Sequence, residues 1–313
     1  MYKLLMLKIY QQTVSKPISF EGIGLHSGKR VEITIFPNTE DKGIIFKRVD
    51  LKNNNLIYAN YKNVKSATLC TTIENEHGVR VSTVEHLLAA LYISEIDNAI
   101  IEINNEEVPI MDGSAKEFFK RLNQIELKEL NQKRKYLKIL DKIELQEGKK
   151  KISIQHKDSS LEVEFKLNYK NKIIGDQKNT VDFQNDDLEK IYESRTFCLY
   201  EDIEKIKSMG LAKGGSLKNA IVVDNNKVMN EEGLRNKYEF VNHKILDLAG
   251  DFMLSGYRVL GKVKCHQGGH EFTNKFLKKL LTAKSSFASV ELKEILISKK
   301  LSQNSSSKLA VVA

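Results

Sequence analysis

The feature that most constrains this chain is an order of elements that occurs twice. In each half, strand-like segments lead to a His-bearing helix that runs directly into another strand. In the first half "VEITIF" and "GIIFKRV" alternate as strands. "STVEHLLAALYIS" then carries Val84, Leu87, Leu88, Leu91 and Tyr92 at helical spacing, and "IDNAIIEINN" follows as a strand. In the second half "YLKILDKIEL", "KKISIQH" and "LEVEFKLNY" predict strands, "EFVNHKILDLAGDFMLSG" a helix, and "YRVLGKVKCHQ" a strand. Each half closes on a further helix, "SAKEFFKRLNQI" in one and "HEFTNKFLKKLLTA" in the other. This pattern predicts an α+β fold of two similar α+β domains, a duplicated sheet-plus-helices unit. The first His-bearing helix is expected to be amphipathic. The charged, apolar-poor stretch at 127–136 is expected to be the linker, giving domains at 1–128 and 129–283. Residues 284–313 lose periodicity and predict a flexible tail, whose apolar end from Leu309 to Ala313 offers a handle to a protease.

The 313 residues are enough for two domains, and 41% apolar with 29% charged residues is an ordinary globular balance. A net charge of +9 favours anionic partners: nucleic acid, acidic lipid or a phosphorylated small molecule. The basic residues are scattered rather than gathered on one helix, which argues against a dedicated nucleic-acid binder. Cys70, Cys198 and Cys265 lie far apart and imply no disulfide framework. The N-terminal apolar run is too short for a signal-peptide core, and no window approaches the ~18 apolar residues of a membrane span. A cytoplasmic protein without stable membrane insertion is expected.

The chemistry is concentrated in three segments. In "HKILD", His243 and Asp247 are four residues apart and so share one face of a helix, where they can converge on one ion. A surface His–Asp pair has the same spacing, but here Phe240, Val241, Ile245, Leu246, Leu248 and Ala249 surround it. In "STVEHLL", Ser82 and Glu85 match a capping box, which is the bland account of Glu85. The alternative is that His86 binds a metal while Glu85 reaches a reacting water. His86, His243 and Asp247 would then be two imidazoles and a carboxylate with a fourth position open, as in catalytic zinc sites. In "CHQGGHEF", Gly268-Gly269 allows a sharp turn that presents His270, although an exposed side chain fits that segment equally well. His77 and His156 fall in polar surroundings and are expected to be solvated.

Together "GIGLHSGK", "TVEHLLAAL", "VPIMDGSA", "SRTF", "GGSLKNAIV", "LRNKYEFVNHKILDLAGD" and "GGHEFTNK" form an ordered series over residues 11–283. The series resembles the UDP-3-O-acyl-N-acetylglucosamine deacetylase family, zinc enzymes of an early committed step of lipid A biosynthesis. The resemblance implies the paired ribosomal protein S5 domain 2-like fold with the active site between the domains. It implies removal of the N-acetyl group from a UDP-linked, 3-O-acylated glucosamine, giving acetate and a free amine. It places the Zn²⁺ ligands on His86, His243 and Asp247, donors that also suit Fe²⁺. It puts the general base on Glu85, the second acid–base group on His270, and the residue orienting that histidine on Asp251. Thr196 matches a hydroxyl beside the tetrahedral oxygen, Lys244 a basic residue of the substrate site, Phe197 the start of the acyl-chain passage, and His26 a residue of the same cleft. The family often has Arg where this chain has Asn242, and a basic residue where it reads His266-Gln267. Both departures bear on how the diphosphate is gripped, for which Lys149 to Lys151, Lys262 and Lys264 are candidates.

Overall fold

The structure is a computed structural model and describes residues 7–292. Its organising feature is the same sheet built twice. In the first half β1 (Ile18–Ile23), β2 (Arg30–Pro37), β3 (Ile44–Arg48) and β4 (Leu56–Tyr58) precede helix α1 (Glu85–Ile93). Strand β5 (Ala99–Ile103) and helix α2 (Lys116–Leu122) follow. The sheet order is β1-β2-β5-β3-β4, parallel only between β5 and β3. In the second half β6 (Ile143–Glu147), β7 (Lys150–His156), β8 (Leu161–Asn168) and β9 (Asp176–Asp182) precede helix α3 (Glu239–Met253). Strand β10 (Arg258–His266) and helix α4 (His270–Thr282) follow. Here the order is β6-β7-β10-β8-β9, again parallel only at the pair that follows the helix, β10 with β8. The α+β duplication expected from the sequence is therefore present at the level of strand order and direction.

Alternation fixes which face of each sheet is buried. Val31, Ile33 and Ile35 of β2 point inward while Glu32 does not, and Leu161, Val163, Phe165 and Leu167 do the same in β8. Most buried apolar residues of both halves form one continuous core, with Tyr136 and Leu260 in a small separate cluster. Helix α1 differs from the amphipathic helix expected, because every residue from Glu85 to Tyr92 is buried. It packs against α2 and, more extensively, against α3, and it has no solvent face. The two helices approach closely at Gly250, where a Cβ would stand 2.1 Å from the Glu85 carbonyl oxygen.

Two differences concern the ends of the second half. The stretch expected as a linker contains the strand Leu127–Lys133, paired antiparallel with Tyr10–Val14. Only Leu130 of this strand is buried, so its sequence shows charge rather than a buried alternation, and pairing with the largely buried Tyr10–Val14 makes it a strand. Residues Phe287–Val290, within the expected tail, pair antiparallel with Tyr136–Ile139, which itself lies parallel to the start of β10. The proposed protease handle at 309–313 lies outside the described residues.

The halves are tied together by charge behind the site. Arg258 of β10 donates to Asp97 and to the Tyr92 and Ile96 carbonyls at the end of α1, and Arg134 binds Asp97 and Glu95. Among the described residues no helix is long and apolar enough to cross a membrane.

Candidate active site

Each sheet carries an insertion at the same point, between its fourth strand and its buried helix. In the first half this is the small sheet of Val64–Ser66, Thr72–Glu74 and Arg80–Val81; in the second it is the segment from Glu189 to Val228. The two insertions wall a cleft of about 420 Å³ over the crossing of α1 and α3. Glu85, His86, Thr196, Phe197, His243, Lys244, Asp247 and His270 all line it. His26 lines it too, so the structure gathers nine of the ten residues singled out from the sequence, with the tenth, Asp251, directly behind His270.

At the floor, one donor atom from each of His86, His243 and Asp247 lies within 4.8 Å of the others, and all three residues are buried. Asp247 Oδ1 stands 3.5 Å from His86 Nε2 and 3.3 Å from His243 Nε2. His243 Nδ1 lies 3.0 Å from the Ser194 carbonyl, which leaves Nε2 for the cluster, an outer contact typical of metal-binding histidines. Asp247 Oδ1 is buried without a hydrogen-bond partner. A buried carboxylate oxygen facing two imidazoles is costly unless something fills the space between them, so the donor set fits a cation. Burial pushes His243 down to about 3, keeping its ring neutral as a metal ligand must be. Burial would raise the Asp247 carboxyl, but the Lys244 and His270 charges and the His86 side chain outweigh it and hold it well below the usual carboxylate range. Lys244 Nζ bonds Asp247 Oδ2 at 2.9 Å and lies 5.4 Å over the Phe197 ring.

The capping-box account of Glu85 does not hold. Ser82 Oγ donates to the Glu106 carbonyl, and α1 begins without a side-chain cap. Glu85 Oε2 instead accepts from the Thr71 amide at 3.0 Å, and Oε1 lies 3.7 Å from His270 Nε2. Burial pushes the Glu85 carboxyl up, while the nearby His270 and His86 pull the other way. His270 is the first residue of α4. Its Nδ1 meets Asp251 Oδ2 at 2.9 Å, and its Nε2 lies 3.8 Å from Asp247 Oδ2. Burial would lower its affinity for a proton, but Asp251, Glu85 and Asp247 together raise the value to about 10. Gly268 serves a close approach here, since a Cβ would meet Cys265 Sγ at 2.3 Å.

Thr196 is anchored through its backbone, its amide donating to the Gly113 carbonyl at 2.7 Å and its carbonyl accepting from Ile221. Beyond Thr196 and Phe197 opens a second, largely apolar cavity of about 320 Å³, lined by Leu25, Leu69, Ile203, Ile206, Leu217 and Val222 among others. His26 borders both cavities with its Nε2 unpartnered.

The sequence departures lie elsewhere. Asn242 is buried on the far side of α3, bonded to Asn179, Asn236 and the Lys190 carbonyl. Gln267 binds the Asn168 carbonyl and does not line the cleft. Of the lysines considered, Lys150 reaches the cleft, whereas Lys151 is paired with Glu144 and Lys262 with Glu162.

Sequence reasoning missed Thr71, Ser194 and the Arg195–Glu239 pair that fixes the Ser194–Thr196 segment to the start of α3. Ser194 and Arg195 lie in the quoted "SRTF" segment, but nothing in "LCTTIE" marks Thr71.

A family model described as UDP-3-O-acyl N-acetylglycosamine deacetylase matches residues 11–282. The chain belongs to that family. A UDP-3-O-acyl-N-acetylglucosamine deacetylase of Geotalea uraniireducens (strain Rf4) is 40% identical over 284 residues, 90% of this chain and 92% of the relative. The same-named proteins of Pasteurella multocida (strain Pm70) and Legionella pneumophila (strain Corby) are each 41% identical, over 87% of this chain and 90% of each relative. Every residue of the cleft named above falls inside the matched span of this deacetylase family.

Proposed function

We propose that the chain hydrolyses the N-acetyl amide of a UDP-linked, 3-O-acylated N-acetylglucosamine in this cleft, giving acetate and the free amine of lipid A biosynthesis. The reaction follows from the family. The observation that carries its location is the convergence of His86, His243 and Asp247 beside Glu85 and His270.

Zn²⁺ is the ion proposed for the three donors, with Fe²⁺ suiting the same set. When bound it supplies Lewis-acid polarisation of the acetyl carbonyl and lowers the pKa of water from about 16 to roughly 7. The chain's own groups do the rest. Glu85 Oε1 faces the site and takes the proton of the attacking water, its affinity for that proton raised by burial. The carbonyl carbon becomes tetrahedral, and the Thr196 hydroxyl stabilises charge that develops only then. As the C–N bond breaks, the amine must gain a proton. His270, held protonated by Asp251, is the acid that provides it.

The rest of the substrate is assigned by chemistry. The apolar cavity beyond Phe197 takes the acyl chain. Lys150 lines the cleft with positive charge for the diphosphate, Lys244 lines it beside the cluster while bonded to Asp247, and His26 stands where the sugar would pass between the cavities. Action in the cytoplasm is part of this reading and agrees with three free cysteines. The proposed units are 1–128 and 129–283, with the strand Phe287–Val290 added to the second.

The test is metal content and deacetylase turnover followed together. Turnover should vanish on chelation and return with zinc. Full turnover in the chelated protein would exclude the proposal.

A further inference from the structure

We propose that Thr71 is a positioning residue that sets the base and the acid of the reaction against each other. It lies in the first insertion, just before the strand Thr72–Glu74, and is 1% exposed. Its amide donates to Glu85 Oε2 at 3.0 Å, and its hydroxyl donates to Asp251 Oδ1 at 2.7 Å. Its carbonyl accepts from the Val84 amide at 3.4 Å, at the start of α1. One residue thus holds a carboxylate from each of the two crossing helices.

What it leaves free is as telling as what it holds. Each carboxylate has two oxygens, and Thr71 occupies one of each. Glu85 Oε1 is left toward His270 Nε2 at 3.7 Å, and Asp251 Oδ2 is left on His270 Nδ1 at 2.9 Å. Rotation of either carboxylate about its last bond would lose that arrangement, and the two Thr71 bonds oppose the rotation. Thr71 does not line the cleft, so it acts through Glu85 and Asp251 and not on substrate. The role rests on those proposed above for Glu85 and His270.

The experiment is a steady-state comparison of Thr71→Val, Thr71→Ser and the parent enzyme, with metal content measured on each. Thr71→Val keeps the amide and shape but removes the hydroxyl. It should keep its metal and KM and lose kcat by about 10–100-fold, as loss of an outer-shell partner does. Thr71→Ser should restore kcat. In an Asp251→Asn background Thr71→Val should cost little more, because the partner of the hydroxyl is already altered. Parent-like kcat in Thr71→Val, failure of Thr71→Ser to rescue, or an undiminished loss in the Asp251→Asn background would each overturn the role. If Thr71→Val does not fold, Thr71→Ala makes the same comparison without a methyl group against Asp251. Glu85→Ala keeps the two ideas apart. Full activity there removes the base assignment itself, whereas parent-like Thr71→Val beside an inactive Glu85→Ala removes only the role of Thr71.

Discussion

Gly250 lies against Glu85 so closely that a Cβ on it would come within 2.1 Å of the Glu85 carbonyl oxygen. The contact brings α3 onto α1 at the turn that carries Glu85 and His86, the proposed base and metal ligand, so the closeness of the helices is the closeness of the site. Gly250→Ala must push the helices apart. We expect a loss of about 1–3 kcal/mol, as for overpacked cores, with weaker metal binding because His86 moves from His243 and Asp247. Thermal unfolding and metal titration of the variant check both effects.

Asp251→Asn should change the pH profile. The His270 value, raised from 6.5 to about 10, means that its proton stabilises the fold fully below about pH 6.5 and that this contribution drains away as pH rises toward 10. Neutralising Asp251 removes the nearest charge that holds the proton. The alkaline limb of kcat should move down by about one pH unit or more, and stability should vary less between pH 6.5 and 10.

Arg258→Ala tests the tie behind the site. The arginine is buried and satisfies Asp97 together with the Tyr92 carbonyl in the last turn of α1 and the Ile96 carbonyl beyond it. Removing it takes a charged donor from the Tyr92 and Ile96 carbonyls while Asp97 keeps Arg134, and a loss of about 1–3 kcal/mol is expected in chemical denaturation.

Ala220→Phe should narrow the apolar cavity without touching the metal cluster. Turnover of substrates with long acyl chains should fall more than that of short-chain analogues. A uniform loss across chain lengths would place the acyl chain elsewhere.

Much of the fold was legible because it rests on local pattern. The alternation in "VEITIF" and "LEVEFKLNY" placed β2 and β8, and the i, i+4 spacing of His243 and Asp247 placed two donors on one helix face. What escaped was set by distant contacts. The strand Leu127–Lys133 owes its form to pairing with Tyr10–Val14, not to a buried face of its own. The buried surroundings of α1 come from α3, more than a hundred residues away. Ser82 and Glu85 have the spacing of a cap, yet the carboxylate turns to Thr71, a choice made by tertiary contact. Neither Thr71 nor Gly250 belongs to a local pattern that announces it.

The central claim is that Glu85 is the base beside a metal held by His86, His243 and Asp247, and not itself a ligand or a cap. Metal content and deacetylase turnover of Glu85→Ala, measured on one preparation, test it most directly. The metal should stay near the parent level while turnover falls by about 10²–10⁴-fold. Parallel loss of metal and turnover, or turnover equal to the parent's, would contradict it.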